Sequence, residues 1–457
     1  MKILLANRAC TMGGVETLMI ALASIYRHYG HECEIFFFEH GPMEPYLPKD
    51  CVVHFGGLAD CMRLVRSRGF DVVHANSTDW EIGMSALHET GAKLILTSHG
   101  WVVPGWTAAN CDALAGCAEW LAREQQEYAD FPIQVVLNGV DTDKFKIKES
   151  PATAPPIVAW VGRGVALEHK RIDKLAAIAP ALHKAGVRLR LVEPYGPDKV
   201  AEVTPEAVRI LRPLVESWGR IPVERMPDFY QEVAASGGCL VSTSSYEGLP
   251  MTLLEAQACG CPVIGPDVCG VNECLDPAHG SVLYPFEMEA DKLANLVIET
   301  LRDTERMRWR SEACARYMRE QFSLQRMAED YLCIYQEAPY PQYTMTGDAK
   351  IYPASKRLFD VPSHLYRQAA ESGARWLYDC LRSDRDSAAK YKSEWRFFLG
   401  LFRYRYRHFM EREGQGGHRG RVRAVGEIAR FARTFVKSKA ARSVTNTVDH
   451  SALGKAE

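Results

Sequence analysis

A strand–turn–helix unit just past the midpoint of the chain constrains the fold more than any other stretch. The apolar run Gly238-Cys239-Leu240-Val241-Ser242 is short enough for a buried parallel strand. A turn rich in serine and glycine follows, and Pro250 suits a first helical turn. Residues from Met251 to Ala258 continue with a helical pattern. A strand that enters a helix through such a loop is typical of open α/β sheets.

Two carboxylates, Glu247 and Glu255, lie on this unit with seven residues between them. The first falls on the loop at the carboxyl end of the strand, and the second about one turn into the helix. Ligands of open α/β sheets bind at that end of the strands. Carboxylates at this separation can accept hydrogen bonds from a polyol such as a sugar joined to a ribose. The alternative is a solvated loop residue and a partner for the helix dipole.

Short apolar runs recur along both halves of the chain, with helical patterns between them. The predicted strands cover residues 2–5, 34–38, 52–55, 71–74, 93–97, 113–116 and 134–137, then 157–161, 188–192, 238–242, 261–265 and 281–284. Strands that alternate with helices predict parallel sheets covered on both faces. We therefore predict an α/β fold of two doubly wound, Rossmann-like domains. The predicted domains are residues 1–147 and 157–322, joined by a linker at 148–156 that contains three prolines.

Two loops carry residue types that can hold a phosphate. Gly13 and Gly14 stand at a strand-to-helix turn, where backbone amides can approach an anion and the helix N-terminus adds partial positive charge. Arg163 and the pair Lys170-Arg171 follow the first strand of the second domain. Cations there suit a leaving diphosphate, whose negative charge must be neutralised. The alternative is a set of solvated surface cations.

Several segments together resemble one known family. The sequence Glu-Gly-Leu-Pro-Met-Thr-Leu-Leu-Glu-Ala from Glu247 closely resembles the Glu-x7-Glu signature of retaining GT-B-fold glycosyltransferases, family four. The segment Asn138-Gly139-Val140-Asp141 is similar to the family's hinge segment, and Gly13-Gly14-Val15-Glu16 to its first loop. The resemblance covers residues 1–337. It implies two domains that face a cleft, with a helix at 323–338 that crosses back to the first domain.

The resemblance also implies roles for matched residues. Glu255 would hold the donor's ribose and Glu247 the hydroxyls of the donor sugar. Arg163 and Lys170 would stabilise the leaving diphosphate, and His99, in a segment similar to the family's Thr-x-His, would lie beside the sugar. We count His99, Arg163, Lys170 and Glu247 as catalytic candidates. The donor-binding candidates are Gly13, Gly14, Arg171, Gly248, Leu249, Pro250 and Glu255.

Three residues are acceptor-side candidates: His74, Trp101 and Glu16. His74 ends a predicted strand at the edge where the crevice is expected, and Trp101 follows the next such strand. Glu16 lies in the first loop, which in the family is near the donor phosphate and the acceptor. A histidine at the end of a strand is more often structural than functional, and that alternative applies to His74 and to His99.

The chain departs from the family pattern in two loops. Arg171 stands where the family commonly has a glycine, which leaves open whether Lys170 or Arg171 contacts the diphosphate. The segment Glu193-Pro194-Tyr195-Gly196-Pro197 stands where the family usually carries Gly-x-Gly-Pro, so the base pocket is not determined. No metal site and no cofactor are predicted, because side-chain cations and helix dipoles can neutralise the diphosphate of a UDP- or GDP-sugar donor.

Charge divides the chain unevenly. From residue 351 onwards there are 22 lysines and arginines against 11 acidic residues, which leaves 33 against 46 before it. We predict a basic, mainly helical extension at 339–457. Its segment from Trp395 to Phe409 mixes aromatics with arginines, which suits an anionic membrane surface. The alternative is a helix that packs against the acidic body of the same chain.

Composition and sequence pattern exclude several classes of protein. The net charge of −2 gives no sign of nucleic-acid binding, and no apolar run reaches the length of a membrane span. The N-terminal apolar run is too short for a signal peptide, and the fourteen cysteines lack metal-ligand spacing and are predicted to be reduced thiols. We therefore expect a cytoplasmic protein, peripheral on the inner face of the membrane if its extension binds lipid.

The predicted function is a metal-independent glycosyltransferase of the hexosyltransferase type. It would move a sugar from a nucleotide sugar to a glycan or lipid-linked acceptor with retention of configuration, in lipopolysaccharide or surface-polysaccharide synthesis. One alternative is an enzyme of the same fold with another reaction, such as a phosphorylase or an epimerase. The other is a non-catalytic sugar-nucleotide-binding or scaffold protein. Loss of one of the two cations or of one of the two glutamates would favour this non-catalytic alternative. The chain retains all four: Arg163, Lys170, Glu247 and Glu255.

Overall fold

The computed structural model describes residues 1–11, 13–76, 87, 90–100, 111–126, 132–148 and 155–337. The predicted extension at 339–457 lies outside these residues, as do Trp101 and most of the predicted linker. Within the described residues, no helix combines the length and the apolar character needed to cross a bilayer.

The first sheet has seven strands in the order β3-β2-β1-β4-β5-β6-β7, and all neighbours are parallel. Strand β1, an interior strand between β2 and β4, is buried over the five residues from Ile3 to Asn7, because helices cover both faces of such a sheet. This explains the continuous apolar run in the sequence. The strands are β1 Lys2–Ala9, β2 Glu32–Glu39, β3 Val53–Phe55, β4 Val72–Ala75, β5 Lys93–Ser98, β6 Ala113–Gly116 and β7 Gln134–Val135. The described helices here are α1 Gly14–His28, α2 Leu58–Arg68 and α3 Glu119–Gln126.

The second sheet has six strands in the order β10-β9-β8-β11-β12-β13, again all parallel. The strands are β8 Ile157–Val161, β9 Arg188–Val192, β10 Val215–Gly219, β11 Cys239–Val241, β12 Val263–Pro266 and β13 Val282–Tyr284. The helices are α4 Leu167–Lys170, α5 Ile172–Lys184, α6 Gly196–Ala201, α7 Pro205–Leu211, α8 Met226–Ala235, α9 Met251–Ala258, α10 Ala290–Arg302, α11 Thr304–Gln321 and α12 Leu324–Gln336. The predicted α/β fold with two Rossmann-like domains is thus confirmed.

The segment that leaves the first domain and the segment that returns to it run side by side where the two domains meet. The amide of Val140 donates to the carbonyl of Phe322 at 2.8 Å, and the amide of Leu324 donates to the carbonyl of Val140 at 2.9 Å. The segment after β7 is therefore paired with the start of α12. The Ser323 hydroxyl caps that helix by accepting from the amide of Arg326.

Helix α12 packs on the first sheet, although it follows the second sheet in sequence. The Tyr335 hydroxyl lies 3.3 Å from that of Tyr26 on α1, and the Tyr331 hydroxyl lies 3.0 Å from the Thr97 hydroxyl on β5. All four residues are nearly inaccessible to solvent. Because each polar atom finds a partner, the helix can bury its tyrosines without leaving unsatisfied hydroxyls.

Candidate active site

The Glu-x7-Glu unit has the local structure that its sequence predicts. Strand β11 ends at Val241, a loop carries Glu247, and α9 begins at Met251 with Glu255 inside it. Pro250 precedes the helix with φ −76°, which its ring favours. Helix α9 is buried along one continuous stretch, from Leu253 to Ala258, so Glu255 points into a packed environment.

Glu247 lies at the centre of a charged cluster. Its Oε1 is 2.5 Å from Nζ of Lys170 and 2.6 Å from the Ser244 hydroxyl, and its Oε2 is 3.1 Å from Nε2 of His169. Burial alone would raise the pKa of Glu247, but Lys170 and His169 outweigh it and hold that pKa well below its usual range. The carboxylate is therefore ionised at neutral pH and oriented from three sides.

His169 belongs to this cluster, although it was not among the candidates predicted from the sequence. Its ring stacks on Tyr246 at 4.5 Å, and its carbonyl accepts from the amide of Ser245 at 2.8 Å. The signal available in the sequence was its position directly before Lys170, on the short helix α4. The two neighbours reach both oxygens of one carboxylate, which ties α4 to the loop of Glu247.

Glu255 has a different environment. The Tyr230 hydroxyl donates to its Oε2 at 3.2 Å, and Glu255 is 8 % exposed. Burial raises the pKa of Glu255 to about 7, and the Tyr230 hydroxyl and the charge of Lys144 oppose that rise. The two glutamates of the signature therefore differ in charge state near neutral pH, because Glu247 is paired with the Lys170 ammonium and Glu255 with a hydroxyl.

The structure separates the three candidate cations. Lys170 reaches Glu247, whereas Arg171 makes a bidentate contact with Asp173 at the start of α5. Arg171 has φ +49°, a left-handed conformation that turns the chain between α4 and α5. Arg163 is exposed on the loop after β8. Lys170 and not Arg171 therefore lies with the candidate catalytic glutamate.

The first loop of the chain lies close to the Glu-x7-Glu helix. Gly13 is the N-cap of α1, and a methyl group on Gly14 would lie 3.2 Å from Cγ of Met251, the first residue of α9. The N-termini of two helices therefore approach each other near Lys170 and Arg163. Helix N-termini carry partial positive charge and unpaired amides, so this region favours an anion.

Glu16 lies inside its own loop. It is 4 % exposed, and its Oε1 accepts from Thr11 at 2.6 Å and from Asn7 at 3.1 Å. Burial raises the pKa of Glu16, while the Thr11 hydroxyl and the charge of Arg163 oppose the rise. These contacts indicate that Glu16 shapes the loop. Direct contact with an acceptor remains a prediction.

His99 meets the Glu-x7-Glu loop through its backbone. A methyl group on Gly248 would lie 2.0 Å from the His99 carbonyl oxygen, so only glycine permits this approach. The imidazole Nε2 lies 3.0 Å from Oδ1 of Asn76, and burial lowers the pKa of His99 to about 4. His99 is therefore neutral at pH 7 and can hydrogen-bond a sugar without adding charge.

The structure does not support the acceptor-side assignment of His74. This residue is 0 % exposed, and its ring nitrogens lie 2.6 Å from the Tyr335 hydroxyl and 2.8 Å from the Thr97 hydroxyl. Burial lowers the pKa of His74 to about 3, so it stays neutral. His74 links β4 to α12 in the core because the polar partners it needs are supplied there. Trp101 lies outside the described residues.

Side chains of the first domain donate hydrogen bonds to backbone carbonyls of the Glu-x7-Glu loop. The indole Nε1 of Trp120 donates to the carbonyls of Glu247 and Gly248 at 3.0 and 3.1 Å. The side-chain Nδ2 of Asn138 donates to the carbonyl of Leu249 at 2.9 Å. Leu249 and Pro250 are buried in this contact. The carbonyls of the donor-binding candidates Gly248 and Leu249 thus face the first domain.

A second contact between the two domains joins Glu273 to the start of α3. Glu273 accepts from the first two amides of α3, those of Glu119 at 2.5 Å and Trp120 at 2.9 Å. Burial raises the pKa of Glu273 to about 7, and the amides of Trp120 and Glu119 oppose the rise. No local sequence pattern indicates the roles of Trp120 and Glu273, because more than a hundred residues separate each of them from its partner.

The described residues contain no group of three or more histidine, cysteine or acidic side chains placed to hold a metal ion. The arrangement instead brings together a paired carboxylate, an exposed arginine and two helix N-termini. Such a site can bind an anionic group and hold hydroxyls next to it.

Comparison with known families gives two matches along the chain. Residues 12–144 match the model described as Glycosyltransferase Family 4, and residues 155–303 match the model described as Glycosyl transferases group 1. The first match covers strands β2 to β7 of the first sheet, and the second covers the second sheet with both glutamates of the Glu-x7-Glu unit.

Individual relatives agree with these matches. The alpha-maltose-1-phosphate synthase of Mycolicibacterium smegmatis is 24 % identical over 328 residues, 61 % of this chain and 82 % of that protein. A GDP-mannose-dependent monoacylated alpha-(1-6)-phosphatidylinositol monomannoside mannosyltransferase of Corynebacterium glutamicum is 38 % identical over 93 residues, 20 % of this chain and 24 % of that protein.

Solved structures agree on the fold. The crystal structure of Anabaena Alr3699/HepE in complex with UDP and glucose superposes with a TM-score of 0.62 at 17 % identity, over 74 % of this chain and 99 % of that one. Together with the two parallel sheets, the family matches identify the chain as a glycosyltransferase of the GT-B type.

Proposed function

We propose that this protein transfers a hexose from a UDP- or GDP-sugar to a glycan or lipid-linked acceptor, with retention of configuration and without a metal ion. The observation that supports this most directly is the cluster around Glu247, in which Lys170 fixes an ionised carboxylate at the carboxyl edge of the second sheet. The N-termini of α1 and α9 and the exposed Arg163 lie around the same edge.

The proposed chemistry assigns one task to each group. Arg163, a second N–H of Lys170 and the helix N-termini neutralise the diphosphate as it leaves. Glu247 accepts hydrogen bonds from the donor sugar, and neutral His99 supplies another polar contact. Glu255 accepts from the ribose hydroxyls. Because side chains and dipoles supply the positive charge, the reaction needs no Lewis acid.

The proposed donor and acceptor classes are inferred from the names of a relative and of a solved structure. One solved neighbour holds UDP and glucose, and one relative is named for GDP-mannose and a lipid acceptor. We propose the same two classes of donor here, and a glycan or glycolipid acceptor of a surface polysaccharide or lipopolysaccharide. No cofactor is required.

We further propose that the protein works in the cytoplasm, at the inner face of the membrane, and that the segment from Trp395 to Phe409 binds anionic lipid. Removal of the residues after 385 should then abolish sedimentation with vesicles rich in phosphatidylglycerol and leave nucleotide binding unchanged. Equal sedimentation of the truncated and full chains would contradict the lipid contact.

The first experiment on the function is a thermal-shift screen against nucleoside diphosphates. We expect UDP or GDP, but not both equally, to raise the melting temperature, because a ligand that binds only the folded state stabilises it by mass action. Donor turnover with the matching nucleotide sugar follows, with the product anomer assigned by NMR. An inverted product, or activity lost to a chelator and restored by a divalent metal, would overturn the corresponding part of the proposal.

A further inference from the structure

Glu193 is a buried carboxylate at the carboxyl edge of the second sheet that has no part in the proposed chemistry. It directly follows β9 and is 0 % exposed. The paired strand β8 ends at the same level, since Val161 pairs with Val192. The loop that carries Arg163 and the loop that begins at Glu193 therefore leave the sheet side by side.

The Glu193 carboxylate is bonded to backbone amides of both loops. Its Oε2 accepts from Gly196 at 2.6 Å and from Tyr195 at 3.0 Å, and its Oε1 accepts from Gly164 at 3.3 Å. No lysine, arginine or histidine in the described part of the chain forms an ion pair with it. A buried charge without a counter-ion is costly unless amides solvate it, so these bonds hold the three amides in place.

Arg163 stands between two of the fixed points. The amide of Gly162 donates to the Val192 carbonyl at 3.1 Å, and the amide of Gly164 donates to Glu193. Gly164 also packs tightly, because a methyl group on it would lie 2.8 Å from a methyl of Val200 on α6. Helix α6 begins at Gly196, whose amide the same carboxylate holds. One side chain thus fixes the Arg163 loop and the helix against which it packs.

Glu193 falls in the segment where the resembled family usually carries Gly-x-Gly-Pro, a pattern without a carboxylate. We propose that Glu193 is a positioning residue: it fixes the loop that presents Arg163 to the leaving diphosphate. The inference rests on the proposed function, because Arg163 has this task only if a diphosphate leaves.

The test is a double-mutant cycle of Glu193→Gln and Arg163→Ala, measured as donor turnover, as nucleoside diphosphate affinity and as melting temperature. Gln keeps the shape of Glu193, but its amide group cannot accept from all three N–H groups. We expect Glu193→Gln to lower kcat by about tenfold to a hundredfold, with KM for the donor changed less, because a misplaced group costs rate. In the Arg163→Ala background the same change should alter kcat by less than about twofold.

A merely structural role would give another pattern. It would lower the melting temperature equally in both backgrounds, and its effect on kcat would multiply with that of Arg163→Ala. That result, or a kcat for Glu193→Gln equal to wild type, would overturn the inference. Glu202→Gln, an exposed glutamate directly after α6 that pairs with Lys199, is the matched control and should leave kcat unchanged. If Glu193→Gln does not fold, Glu193→Asp enters the same cycle with the same criterion.

The two proposals fail separately. A wild-type protein without donor turnover, or an Arg163→Ala variant as active as wild type, contradicts the proposed function. An impaired Arg163→Ala beside an unimpaired Glu193→Gln contradicts only the role of Glu193.

Discussion

The indole Nε1 of Trp120 lies 3.0 Å from the carbonyl oxygen of Glu247 and joins the first domain to the loop of the candidate catalytic carboxylate. The same nitrogen lies 3.1 Å from the Gly248 carbonyl. The geometry of Glu247 therefore depends on two domains: its side chain and its backbone amide are held by the second, and its backbone carbonyl by the first.

Replacement of Trp120 by Phe tests this dependence. The ring remains, but two carbonyls lose their shared donor, so we expect a loss of about 1–3 kcal/mol in the free energy of unfolding and a fall in kcat. Urea unfolding and donor turnover measure the two effects. Trp218→Phe is the matched control, because its indole nitrogen is buried without a hydrogen-bond partner among the described residues. Equal effects of the two substitutions would refute the coupling.

The two candidate phosphate-binding cations should differ in their effect on stability. Arg163 is exposed, so Arg163→Ala should change the free energy of unfolding by less than about 0.5 kcal/mol while kcat falls by about a hundredfold. Lys170→Ala should also lower kcat, but it removes the lysine that pairs with the buried Glu247 carboxylate. We expect a stability loss of about 3 kcal/mol. An Arg163→Ala variant as unstable as Lys170→Ala would contradict this division.

Nucleoside diphosphate binding should strengthen as the pH rises through 7. Burial raises the pKa of Glu255 to about 7, and under the proposed function the ribose hydroxyls would donate to its ionised form. Ionisation of one such group rises from about 10 % at pH 6 to about 90 % at pH 8, which allows about tenfold in affinity. Isothermal titration calorimetry of wild type and Glu255→Gln separates this from ionisation of the phosphate.

A ligand control strengthens that experiment. The 2′,3′-dideoxy nucleoside diphosphate lacks both hydroxyls, and its affinity for wild type should follow the shallow pH dependence of Glu255→Gln. The same pH slope for both ligands and both proteins would show that Glu255 does not contact the ribose.

The pH dependence of stability should reveal Glu273. Its pKa is raised to about 7, so its contribution to stability is complete below its unfolded pKa of 4.5 and is lost as the pH rises through 7. Wild type should therefore lose about 1 kcal/mol more than Glu273→Gln between pH 6.5 and pH 8. Urea unfolding at the two pH values measures the difference.

The lower pH limit of 6.5 avoids most of the opposite pH dependence that two buried histidines contribute. His74 and His99 have lowered pKa values, so their contribution to stability is lost as the pH falls below their unfolded pKa of 6.5, which is the opposite trend. From pH 6.5 to pH 8 each histidine still adds about 0.4 kcal/mol, but both histidines are present in wild type and in Glu273→Gln, so this contribution cancels in the difference between the two proteins. If wild type and Glu273→Gln change equally from pH 6.5 to 8, Glu273 is ionised throughout and its helix contact outweighs its burial.

The sequence determined the local units of this protein. Runs such as that of β1 are apolar throughout because both faces of a parallel sheet are covered. The loop and helix positions of Glu247 and Glu255 followed from a short apolar run, a turn and a proline, since these signals act between residues that are close in the chain.

Only the tertiary structure decided which polar groups meet. His74 and His99 both follow the pattern of a strand end, yet α12 supplies Tyr335 to the first and buries it. Lys170 and Arg171 are neighbours in the sequence. Because Arg171 has a left-handed backbone conformation, Lys170 contacts Glu247 whereas Arg171 contacts Asp173. Such choices depend on which partner offsets the cost of burying a polar or charged group, and for His74 and Lys170 that partner lies far away in the chain.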